Sequence, residues 1–161
     1  MSMNGMYACL TKEETVKAFS DPEILEEIID NDGEERGSLD IGKSWHGIHF
    51  VLNGDPWKGN PPLSNVVLGG KEVGEDLGYG APRLLKPEEV KEVATALEKI
   101  NEKEFSDLFK QRKFAGADIY VYSQHAGDED ILGELCMYYM EVKQFFKEAA
   151  DGGKGILLYL I

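Results

Sequence analysis

The chain alternates apolar runs with helix-period stripes, and the period of each segment predicts its element. "MYACL" (Met6 to Leu10) is a short apolar run that suits a strand. Directly after it, "TKEETVKAF" opens a helix with Thr11 at the N-cap and Glu14 three residues on, the pair of a capping box. In "SDPEILEEIIDNDG" Asp21 is the expected cap, Pro22 the first helical position, and Ile24, Leu25, Ile28 and Ile29 one apolar stripe before Gly33. Ile41, Trp45, Ile48 and Leu52 fall at i, i+4, i+7 and i+11, which predicts a helix with Asp40 as N-cap and Asn53-Gly54 as its stop.

"LSNVVLGG" reads as one or two helical turns closed by Gly69 and Gly70, and "KEVGEDLGYGAPRLLK" as a Gly-rich structured loop of a length at which loops often carry function. Pro87 then starts a helix with Val90, Val93, Ala94, Leu97 and Ile100 on one face, followed by a second with Phe105, Leu108 and Phe109. "ADIYVY" suits a strand. Asp128 to Ala150 is the longest predicted helix, with Ile131, Leu135, Tyr139, Val142 and Phe146 among its spaced apolar residues. "ILLYLI" is a closing strand too apolar to face water on both sides. Together these elements predict one helix-rich α+β domain over residues 1–161, with a small sheet that includes strands near the N- and C-termini.

At 161 residues the chain can bury a sizeable core, and 42 % hydrophobic residues place it among globular proteins despite a net charge of -13. That charge disfavours nucleic acid and anionic membranes as partners, because both are bound by neutralising phosphate with Lys and Arg. The excess is uneven. Asp21, Glu23, Glu26, Glu27, Asp30, Asp32, Glu34 and Glu35 face a single arginine, Arg36, in one stretch, which is either a solvated acidic face or a docking surface for a basic protein partner. Two cysteines, Cys9 and Cys136, cannot build a disulfide framework. With no signal-peptide pattern or long apolar run, a cytoplasmic location is expected.

Residues 37 to 44, "GSLDIGKS", match the G-x-x-x-x-G-K-[ST] pattern of phosphate-binding loops. The context opposes nucleotide binding: a P-loop follows a buried strand and precedes a helix, whereas an acidic stretch precedes this match and the predicted helix begins before Gly42. The acidic run "DNDGEE" also lacks the ligand alternation of an EF-hand. His49, four residues after Trp45, is a candidate acid or base, with a core histidine as the bland alternative. Asp40 is a helix cap first and a catalytic acid second. His46 falls toward the opposite face of the same helix, so the pair does not suit one metal ion, and His125 sits among acidic residues without regular ligand spacing.

Tyr79 and Arg83 in the Gly-rich loop form the most suggestive polar pair, because glycines 78 and 80 permit close approach and an arginine can clamp a carboxylate or phosphate. A structural salt bridge is the alternative for Arg83. No residue pattern calls for a metal or a cofactor.

"MNGMYACLT", "LDIGKSWHGIHFVLNG", "PLSNVVLGG", "DLGYGAPRLLKPEEV" and the closing "AADGGKGILLYLI" resemble the YfbM-like family of small bacterial proteins, which has no known function. The resemblance covers nearly the whole chain and implies a single α+β domain, with no activity, cofactor or catalytic residue. Two functions fit these features. One is a non-enzymatic protein-interaction module of the inhibitor or immunity type, using the acidic surface. The other is a small-molecule binder or enzyme with a cleft near Trp45, His49, Tyr79 and Arg83. Homo-oligomer formation is compatible with either.

Overall fold

The computed structural model describes residues 2–31, 36–122 and 129–161. The first and last strands, β1 (Gly5–Leu10) and β5 (Gly155–Leu160), pair antiparallel over their full six residues at the middle of the sheet. Both alternate between two apolar faces, so neither could lie at an edge without exposing one of them. Three shorter strands complete an antiparallel sheet of order β2-β1-β5-β4-β3: β2 (Ser38–Asp40), β3 (Lys71–Glu72) and β4 (Arg83–Leu85).

One face carries Met6, Ala8, Leu10, Leu84, Leu157 and Tyr159, covered by α1 (Lys12–Ser20) and α2 (Ile24–Asp30). The other presents Tyr7, Leu85, Ile156 and Leu158 to a larger core built with α3 (Trp45–Asn53), α4 (Pro87–Glu98), α5 (Glu102–Gln111) and α6 (Glu129–Asp151). The fold is α+β, as expected, with strands near both termini.

Local signals hold where the chemistry is local. The Thr11 hydroxyl accepts from the Glu14 N–H while Glu14 accepts from the Thr11 N–H, closing the capping box of α1. Gly54 ends α3 in the left-handed region, φ 73°, where a Cβ would be strained.

Four expectations need correction. Asp21 receives the Glu23 N–H, but α2 begins at Ile24 and ends at Asp30, with Asn31 as its C-cap, ahead of Gly33, which lies outside the described residues. Asp40 ends β2 rather than capping a helix; a 3-10 turn at Gly42–Ser44 intervenes, and α3 starts only at Trp45. "ADIYVY" is a turn, because Asp118 and Val121 adopt φ 50° and 60°, which no strand tolerates. The Gly-rich loop is flanked by the β3–β4 hairpin, whose strands are too short to leave a period-2 signal.

Candidate functional site

The site is organised by α3. The Asp40 carboxylate accepts from the Gly42 N–H at 2.7 Å, and the Ser44 N–H and hydroxyl both donate to the Ile41 carbonyl. These local bonds occupy two of the loop amides, and Lys43 points outward, so the phosphate-loop match has no phosphate cradle. Every residue from Trp45 to Leu52 is buried, so α3 is enclosed on all sides rather than along one stripe. Gly47 allows this, since a Cβ there would come within 2.8 Å of the Leu135 side chain.

Both histidines of α3 are therefore interior. His46 stacks on Trp45, centroids 4.8 Å apart, and touches the Trp57 ring at 4.4 Å. Its Nδ1 accepts from the Tyr120 N–H, and its Nε2 lies 2.9 Å from the Pro56 carbonyl. His49 is 1 % exposed, with Asn53 Nδ2 3.4 Å from Nδ1 and no hydrogen-bond partner for Nε2. Burial, and after it the neighbouring His46, lowers its pKa to about 4; the Lys58 backbone and Asp55 pull the other way without giving Nε2 a bond of normal geometry.

Between α3 and the end of the sheet lies a cavity of about 320 Å³. Trp45, Trp57, Tyr79 and Arg83 line it, with Ile41, Val67, Leu68, Leu158 and Leu160 as apolar wall. Trp45 is almost fully buried and is held by its Nε1, which donates to the Met3 carbonyl at 2.9 Å. Trp57 is 62 % exposed at the rim. Tyr79 rides on a loop tied by Asp76, whose carboxylate accepts from the Gly78 and Gly80 N–H groups; both glycines have φ above 100°.

Arg83 sits in β4 opposite Leu158 and Glu72, and its Nη2 donates to Glu72 Oε1 at 3.0 Å. The cleft expected from the sequence is thus assembled for Trp45, Tyr79 and Arg83. His49 is the exception. It lines an adjoining, more polar hollow of about 630 Å³ with Asn53, Asp55, Lys58 and Ser64, separated by the shared Trp57 and Leu68. His49 and Arg83 therefore do not face one cavity, and Asp40, on the sheet edge, lines neither.

The acidic residues Asp21, Glu23, Glu26, Glu27 and Asp30 are all exposed, because Leu25 and Ile28 turn the opposite side of α2 to the sheet. Asp32, Glu34, Glu35 and His125 lie outside the described residues. Among the described residues the salt bridges are Arg36–Glu14 and Arg83–Glu72, and neither involves α2. Burial raises the pKa of the half-buried Cys9 thiol, the reverse of an activated nucleophile. No group of three or more His, Cys, Asp or Glu among the described residues could hold a metal ion. No helix among them is long and apolar enough to cross a membrane.

Sequence reasoning missed Trp57 and Tyr120. For Trp57 a signal existed: a large aromatic in "GDPWKGNPP", a run of turn-forming residues that offers it no helical or strand face to pack. Tyr120 gave none, since its role depends on a contact with α3 across 74 residues.

Comparison with known proteins agrees with the fold. A family model described as a domain of unknown function, DUF1877, matches residues 1–159. The crystal structure of YfbM from Escherichia coli, a protein of unknown function, superposes with a TM-score of 0.74 at 19 % sequence identity, covering 98 % of this chain and 99 % of that one. No curated protein matches the chain.

Proposed function

We propose, for a chain that belongs to the DUF1877 family and takes no assigned activity from it, that the cavity beside α3 binds a small molecule. One observation carries the reading: two segments distant in the chain, Trp45 on α3 and the Tyr79–Arg83 loop and strand, meet at one concave, mostly apolar surface with the exposed Trp57 at its rim. A cavity of about 320 Å³ is at the small end of ligand pockets. An exposed indole in a polar loop loses apolar contact with water when a ligand covers it.

Binding without turnover is the version supported, because among the described residues the lining offers no histidine, carboxylate, cysteine or lysine, and its only hydroxyl groups are tyrosine phenols. The buried His49 stands outside it. The location that fits a chain with two unpaired cysteines is the cytoplasm.

Native mass spectrometry of freshly purified protein tests this directly. A reproducible extra mass of metabolite size, retained by the wild type and lost by Trp57→Ala, is the expected result. A bare chain, together with no saturable change of tryptophan fluorescence against a fragment library, would overturn it.

A second reading is favoured by a separate observation. The five exposed carboxylates at Asp21, at Glu23 and on the outer side of α2 have no salt-bridge partner among the described residues, which suits a basic protein partner. Its mark is an affinity that falls with added salt and with charge reversal at Glu26, Glu27 and Asp30.

A further inference from the structure

Resting on the reading of the cavity as a binding site, we infer that its ligand is a small monocarboxylic acid with an apolar body, anchored at its carboxylate by Arg83. Arg83 is the one charged residue among the described residues lining the cavity, and the rest of the wall is aromatic, aliphatic or glycine. A guanidinium offers five N–H donors. Here the structure uses one, Nη2, on a single oxygen of Glu72. Glu72 does not line the cavity and its side chain is 63 % exposed, so water can take over its half of the pair at little cost.

Charge selects the class further. A single guanidinium, already shared with one carboxylate in a chain of net charge -13, balances one negative charge and not two. Among the described residues no lysine lines the cavity to meet a phosphate dianion. A cationic ligand would meet Arg83 in a confined apolar setting, where like charges repel strongly. The small volume and the Trp57 and Leu158 walls limit the remainder of the ligand to a ring or a short branched chain.

Three probes of one shape and different charge decide the matter: phenylacetate, phenylacetamide and phenethylamine, titrated calorimetrically against the wild type, Arg83→Gln and Glu72→Gln. Phenylacetate should bind roughly tenfold more tightly than the amide, the scale of a hydrogen bond to a charged group. That preference should vanish in Arg83→Gln and grow in Glu72→Gln, where the competing carboxylate is gone. Melting curves of both variants keep a folding defect from passing as lost binding, and the partial exposure of both side chains favours folded variants.

Equal or tighter binding of the amide or the amine would overturn the carboxylate assignment and leave the cavity standing as a site. A phenylacetate preference untouched by Arg83→Gln would overturn Arg83 as the anchor. Saturable binding of none of the three, with the wild type folded, would remove the cavity reading and this one with it.

Discussion

The backbone N–H of Tyr120 donates to Nδ1 of His46 at 2.9 Å. An N–H has no lone pair, so Nδ1 must be unprotonated, and the ring hydrogen sits on Nε2, where it is donated to the Pro56 carbonyl at 2.9 Å. The geometry alone selects the neutral ring and its tautomer. Burial, which lowers the pKa of His46, acts in the same direction. One imidazole therefore ties the loop before Trp57 and the 117–122 turn to α3.

His46→Ala should leave the Tyr120 N–H and the Pro56 carbonyl unpaired and open a gap between Trp45 and Trp57. A loss of about 2–4 kcal/mol is expected in urea denaturation. Amide exchange at Tyr120 should accelerate in the same variant.

The pH dependence follows from His49. Its folded pKa, about 4, lies below the ordinary value of 6.5, so between those values the unfolded chain binds the extra proton. Its contribution is complete above pH 6.5, declines as pH falls toward 4, and changes no further below that. Over the window the loss amounts to about 3 kcal/mol. His49→Gln should flatten the difference between stability measured at pH 7 and at pH 4.5, and an unchanged slope in that variant would place the titrating group elsewhere.

Gly5→Ala probes how closely α3 approaches the sheet. A Cβ on Gly5 would stand 2.8 Å from Trp45 Cβ and 3.0 Å from Ile41 Cγ1, and neither atom is the free end of a flexible chain. Overpacking of this kind costs roughly 1–3 kcal/mol. Thermal melting should drop accordingly, and the Trp45 environment should shift in near-ultraviolet circular dichroism.

Tyr7 crosses the core to donate its hydroxyl to the Val66 carbonyl at 2.7 Å, and burial pushes its pKa far up. Tyr7→Phe keeps the ring against Phe145 and Phe146 but strands the carbonyl. The expected cost is about 1–3 kcal/mol. In the wild type, alkaline spectrophotometric titration should find this phenol silent until the chain unfolds.

Millimolar ATP with magnesium should leave the melting temperature unchanged, and Lys43→Ala should melt like the wild type. The Gly42 and Ser44 amides bond to Asp40 and Ile41, and Lys43 is exposed. A nucleotide-dependent rise abolished by Lys43→Ala would restore the phosphate-loop reading.

The elements legible in the sequence are those stabilised within a few residues of themselves. The α1 capping box, Pro87 at the start of α4, and Gly54 after α3 each act through bonds or backbone preferences spanning about one turn. The apolar β1 and β5 were likewise legible, because a strand buried on both faces carries its own signal. β2, β3 and β4, at two or three residues each, were not, since a strand that short exists only by pairing with a neighbour distant in the chain.

Period, caps and composition were enough for the α+β class, for the position of each described helix to within a few residues, and for the concentration of negative charge around α2. The burial of α3 on every side, the neutral His46 that ties two loops together, and the separation of His49 from the cavity of Trp45, Trp57, Tyr79 and Arg83 came with the packed fold. The physical reason is the same in each case: burial, tautomer and cavity are set by what packs against a residue from elsewhere in the chain, and local spacing carries no record of those neighbours.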